Sequence, residues 1–134
     1  MIVADANLIA YFAVEGTRTP ASRLVFAKDR VWIAPELWRA EVLSVLSGRI
    51  RRNEDTLEGA ELDYLYAESL MRSNTYAVDF RRVLSVVAQT GCTGYDSQYI
   101  ALAEDRRVKL VTTDGGILAN AKHVAVSPAQ FLAA

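Results

Sequence analysis

Short apolar runs without alternation recur along this chain, separated by longer stretches of helical period. Ile2-Val3-Ala4, Val31 to Ala34, Thr75 to Val78, Lys109 to Thr113 and Val124 to Val126 read as strands. An apolar run that does not alternate implies a strand covered on both faces, as in parallel sheets. Asn7 to Val14 reads as a helix, and Pro20 suits the first turn of another that runs to about Lys28. Pro35 is expected to open a long helix to about Arg52, which puts Glu41 in its second turn. Asn53 is expected to cap the next helix, to about Met71, with Glu54 and Asp55 favourable in its first turn. Asp79 caps a helix over Phe80 to Thr90, which Gly91 closes. A further helix follows Thr93, a short one follows Gly115-Gly116, and Ser127-Pro128 starts a terminal helical turn. Strands alternating with helices throughout predict an α/β fold: a three-layer α/β/α sandwich around a parallel sheet of four to five strands. No linker or repeat interrupts the pattern, so residues 1–134 are expected to form one domain.

Four acids break this apolar order in a telling way. Asp5 and Asp114 close two of the strands. Asp96 falls in the first turn of a helix whose positions three, four and seven residues on are Tyr99, Ile100 and Ala103, a stripe that faces a core. Glu41 lies among Leu37, Trp38 and Val45. In an open parallel sheet ligands bind beyond the carboxyl ends of the strands, and all four acids can meet at that rim. Glu58, Glu61, Asp63, Glu104 and Asp105 read as solvated faces.

Composition narrows the chemistry. The chain is 51% apolar and 23% charged, with a formal net charge of −1, so it has no whole-molecule attraction for a polyanion. The single cysteine, Cys92, excludes an internal disulfide and fits a reducing, cytoplasmic setting. The single histidine, His123, argues against zinc sites and histidine-based triads. No signal peptide is expected, because no basic region precedes the first apolar run. No apolar run approaches the roughly 20 residues that a membrane span needs.

Four carboxylates on one rim repel each other unless a counter-charge is present or some bind protons. No lysine cluster or histidine accompanies them, and all-oxygen ligation points to Mg²⁺ or Mn²⁺. An ion so held offsets the charge of a phosphodiester transition state and lowers the pKa of a bound water.

The stretches VADAN, PELWRAEVLSVL, YDSQYIALAE and LVTTD resemble the acidic motifs of PIN-domain nucleases, and the size and tight loops resemble VapC-type toxins. The likeness covers essentially the whole chain and is strongest over residues 93 to 118. It implies that Asp5, Glu41, Asp96 and Asp114 bind metal and carry catalysis, with Asp5 and Asp96 as the central pair. It also implies supporting polar roles for Asn7 and Thr113. Ser97 stands where many relatives have alanine. The implied activity is a Mg²⁺- or Mn²⁺-dependent endoribonuclease, kept inactive by a cognate antitoxin and commonly a homodimer, or a heterotetramer or larger with that antitoxin. Arg39 and Arg49 are the basic residues assigned to RNA, with Arg39 expected beside the site rather than in it. Tyr64-Leu65-Tyr66 cannot all face one core, and Leu37-Trp38 beside Trp32 poses the same problem; an antitoxin groove or a dimer face would use such a surface.

Two other readings compete. One is a non-catalytic RNA- or protein-binding module whose acids are structural. The other is a phosphatase of the haloacid dehalogenase type with Asp5 as nucleophile. That mechanism wants a second aspartate two residues on, where this chain has Asn7.

Overall fold

The structure, a computed structural model, describes residues 1–134. Five strands form one parallel sheet: β1 (Ile2–Ala4), β2 (Trp32–Pro35), β3 (Thr75–Tyr76), β4 (Leu110–Val111) and β5 (Ala125–Val126), in the order β3-β2-β1-β4-β5. Eight helices surround it: α1 (Ala6–Ala13), α2 (Thr19–Lys28), α3 (Trp38–Arg51), α4 (Leu57–Met71), α5 (Phe80–Thr90), α6 (Gly94–Arg106), α7 (Gly115–Asn120) and α8 (Pro128–Ala133). The result is the expected α/β/α sandwich.

β1 is the centre of the sheet. Val3 lies opposite Ile33 on one side and Leu110 on the other, and all three are fully buried. That burial explains why these runs carry no polar alternation. Helix α6 crosses β1, β2 and β4, with α5 packed outside it, while α1 packs against α2, α3 and α4. Tyr99, Ile100 and Ala103 are buried, as their spacing predicts. Asp79 caps α5 by accepting from the Arg81 N–H at 2.9 Å. Gly91 ends α5 at φ 72°, a conformation that costs glycine little.

Three expectations are corrected. Pro35 does not open α3. It is the last residue of β2, opposite Tyr76, and the Glu36 N–H donates to the Tyr76 carbonyl at 3.1 Å. A proline lacks an N–H at either a strand end or a helix start, so its identity does not separate the two. Helix α3 therefore begins at Trp38, and Glu41 falls in its first turn. Asn53 does not cap α4; it turns the chain at φ 58°, and the Thr56 hydroxyl caps α4 by accepting from the Gly59 N–H at 3.0 Å. Trp32 and Trp38 are core residues, not surface ones, and the Trp38 indole donates to the Thr75 hydroxyl at 2.8 Å.

The core should dominate stability. Ile33→Ala, at 0% exposure, is expected to cost about 2–5 kcal/mol in urea denaturation. Leu62→Ala, at 68% exposure on α4, is expected to cost less than about 0.5 kcal/mol in the same measurement.

Candidate active site

Pairing of β1 with β4 sets Ala4 opposite Val111. The next residues are Asp5 and Thr112, and both are buried. Asp5 caps α1, and its Oδ1 accepts from the Ala6 N–H at 2.7 Å. Its Oδ2 accepts from the Thr112 hydroxyl at 2.5 Å. The same Thr112 oxygen accepts from the Asp114 N–H at 3.0 Å. One hydroxyl thus ties the ends of two adjacent strands and positions two of the four acids. Asp114 in turn caps α7, accepting from the Ile117 N–H at 2.9 Å.

Glu41 and Asp96 arrive from the helices. The Tyr99 hydroxyl donates to Glu41 Oε1 at 2.6 Å. Tyr99 lies three residues beyond Asp96 on the same face of α6, so this bond links α3 to the helix that carries Asp96. Thr93 caps α6 by accepting from the Asp96 N–H at 3.1 Å, which fixes the helix start where the carboxylate stands.

The electrostatics agree with a shared rim. Burial pushes the Asp5 carboxyl up to about 6 from its ordinary 3.8; the Thr112 and Ala6 hydrogen bonds oppose this, and Glu41 and Asp96 add to it. Burial raises Glu41 as well, against the Tyr99 hydrogen bond and with the charges of Asp96 and Asp114. Burial raises Asp96 too, helped by Asp114 and opposed by Thr93. Tyr99 is held strongly in its neutral form by burial and by the Glu41 carboxylate, so it acts as a donor throughout the physiological range. None of the four acids forms an ion pair, although the acids elsewhere pair freely with arginines. No three acidic, histidine or cysteine side chains are packed as a finished metal cage.

Hydrogen bonds to the acids come from residues beyond those named from the sequence. Asn7 and Thr113 are half-buried, and their side chains make no hydrogen bond within the chain. The polar support comes from Thr112 and Tyr99. The β1–β4 register, which pairs Ala4 with Val111, brings Thr112 to the level of Asp5, and local sequence pattern does not report it. Arg39 is committed to α4, where Glu68 takes it in a two-pronged pair at about 3.0 Å. Arg49 lies 3.9 Å from Glu54 and 4.0 Å from Asp55. His123 pairs with Glu104 at 2.8 Å, away from the four acids.

The chain as a whole matches a known family. The PIN domain model matches residues 2–123, and the chain belongs to the PIN domain family. Among solved structures it is similar to PAE2754 from Pyrobaculum aerophilum, with a TM-score of 0.77 at 20% identity over 98% of this chain and 86% of that one. It is also similar to a chain of a toxin–antitoxin complex from Klebsiella pneumoniae, with a TM-score of 0.68 at 16% identity over 96% of this chain and 98% of that one. No curated protein matches the sequence.

The raised carboxyls set a pH dependence. A carboxyl whose pKa is higher folded than unfolded holds its proton longer in the folded state, so stability falls as pH rises through the interval between the two values. For Asp5 that interval runs from 3.8 to about 6, equivalent to on the order of 3 kcal/mol. In EDTA, the melting temperature is expected to be higher near pH 5 than near pH 7.5, and Asp5→Asn is expected to flatten this difference. Acids with lowered values, such as Glu68, act in the opposite sense and at lower pH. Thr112→Val removes the Asp5 donor and the Asp114 acceptor together. It is expected to cost about 1–3 kcal/mol by chemical denaturation and to raise the Asp5 pKa further, read by carboxyl ¹³C titration.

Proposed function

We propose that this chain is a metal-dependent endoribonuclease acting as the toxin of a toxin–antitoxin pair. The observation that carries the reading is the rim itself: Asp5, Glu41, Asp96 and Asp114 share one edge of the sheet, three of them have raised pKa values, and none has a cationic partner. That donor set fits a hard divalent ion such as Mg²⁺ or Mn²⁺. Bound there, the ion would make a nucleophile of water and offset charge on the phosphodiester. The chain's own residues do the positioning. Thr112 and the Ala6 N–H hold Asp5 in place, and Tyr99 holds Glu41 by one oxygen and leaves the other available. Membership of the PIN domain family supports a nuclease, and likeness to a chain of a toxin–antitoxin complex supports the biological role.

An antitoxin has a plausible seat. A groove of about 520 Å³ runs between α3 and α4, lined by Leu43, Leu46, Ile50, Leu57, Tyr64 and Leu65. Its apolar character suits an amphipathic partner helix. Tyr66, by contrast, stacks on Phe12 with ring centres 5.6 Å apart. We further propose that the protein is a cytoplasmic homodimer, free or joined to its antitoxin in a larger assembly. No helix is long and apolar enough to cross a membrane.

Purified protein is expected to cleave RNA with Mg²⁺ or Mn²⁺ and to stop on addition of EDTA. Asp96→Asn is expected to keep its circular dichroism spectrum and to lose more activity than the roughly 10–100-fold that loss of an outer-shell partner costs. Expression in a bacterial host should arrest growth with the unaltered chain alone. Full cleavage by Asp96→Asn would overturn the reading.

A further inference from the structure

A second cavity, of about 350 Å³, lies between α1, α2 and the carboxyl ends of β4 and β5. Its walls are next to the acids in the chain. Thr113 stands between Thr112 and Asp114; Leu8 lies three residues beyond Asp5, one helical turn along α1; Leu118 belongs to the helix that Asp114 caps. Ser127 follows β5 at the same edge of the sheet. The cavity therefore adjoins the acidic rim on its β5 side.

The chemistry of these walls is specific. They are largely apolar, and Arg18 is the one charged residue among them. The Arg18 guanidinium lies over the Tyr11 ring, 5.2 Å from its centre. Arg18 forms no ion pair. Its near neighbour Glu15 pairs instead with Arg23 at 2.6 Å, which leaves the Arg18 charge available at the cavity wall. The hydroxyls of Tyr11 and Thr113 make no hydrogen bond within the chain, whereas those of Ser22 and Ser127 are both used. An aromatic ring with a guanidinium stacked on it, beside the uncommitted Thr113 hydroxyl, offers both a stacking surface and a group that reads a base edge. Ligand pockets span about 300–1,000 Å³, so this cavity has room for one base and not for a duplex. Single-stranded RNA is recognised in this manner, by stacking unpaired bases on aromatic or guanidinium planes. A chain of net charge −1 with an acidic rim also needs a local cation to draw a polyanion in.

We propose that this cavity holds the base of an unpaired RNA nucleotide beside the cleaved bond, with Tyr11 stacking on it and Arg18 meeting the adjoining phosphate. The assignment rests on the ribonuclease reading above and adds to it the residues that hold one base of the substrate.

The test uses the full chain in an Asp96→Asn background, where RNA binds without turnover. A fluorescein-labelled single-stranded RNA oligonucleotide is titrated and followed by anisotropy. Tyr11→Leu and Arg18→Gln are each expected to weaken binding roughly 5- to 100-fold, the range for loss of one stacked base. Tyr11→Phe, which keeps the ring, and Arg23→Ala, a charge loss outside the cavity, should bind within about twofold of the parent. Melting temperatures identify any variant that fails to fold. In parallel, a nucleoside 5′-monophosphate is titrated into ¹⁵N-labelled protein, with amide shifts expected at Leu8, Thr113 and Ser127. Unaltered binding in both Tyr11→Leu and Arg18→Gln, or shifts confined to the α3–α4 groove, overturns the assignment. Absence of RNA cleavage by the unaltered chain would instead overturn the ribonuclease reading on which it rests.

Discussion

The carboxyl of Asp5 is held at 6% exposure at the end of an entirely apolar strand, and much of the structure follows from keeping it there. An isolated carboxylate in such a place is costly, so its oxygens must be met by donors. Two are supplied: the Ala6 N–H, available because α1 starts immediately after Asp5, and the Thr112 hydroxyl, available because β4 lies beside β1 in one register. A slip of one residue in that pairing would turn Thr112 to the opposite face and leave the carboxyl unmet. The centre of the sheet and the centre of the rim are thus specified by the same contact.

The rim works against stability elsewhere. Asp5, Glu41 and Asp96 all resist ionisation in the folded chain, chiefly through burial, with a further contribution from neighbouring acids, Asp114 among them. The fold tolerates this because the elements that carry the acids are anchored by apolar surface behind them. Ile2, Val3 and Ala4 precede Asp5, Trp38 and Val42 flank Glu41, and Tyr99, Ile100 and Ala103 lie behind Asp96; all are buried. Tyr99 serves both purposes. Its ring is part of the core, and its hydroxyl is what Glu41 accepts from.

That double role shows where a sequence is readable. The alternation of apolar runs with helical stretches revealed the sandwich, and the break in each run revealed Asp5 and Asp114, because an acid on a buried stripe is conspicuous. Asp79 and Gly91 were legible because caps use residues with distinctive backbone chemistry. Tyr99 read as apolar because spacing reports which face a residue occupies, not what its polar tip meets. Thr112 and Thr113 are chemically identical neighbours, and only the β1–β4 register separates them. Pro35 was ambiguous because its missing N–H suits a strand end and a helix start alike. The pairing of Arg39 with Glu68 joins residues far apart in the chain, a contact that local pattern cannot reveal.

The distribution of arginines completes the argument. Five of the twelve are paired where they stand: Arg23 with Glu15, Arg39 with Glu68, Arg49 with Glu54 and Asp55, Arg52 with Glu54, and Arg82 with Glu104 and Asp105. Such surface pairs add little stability, but they remove positive charge from the field that a polyanion would meet. Attraction then depends on the few cations left free near the rim and on whatever ion the acids hold. Helix α3 carries Glu41 in its first turn and Leu43, Leu46 and Ile50 along the groove beyond it. A partner seated in that groove therefore rests on the helix that aims one of the four acids. On the function proposed here, the surface for a protein partner and the surface for RNA are separate but share one rigid element.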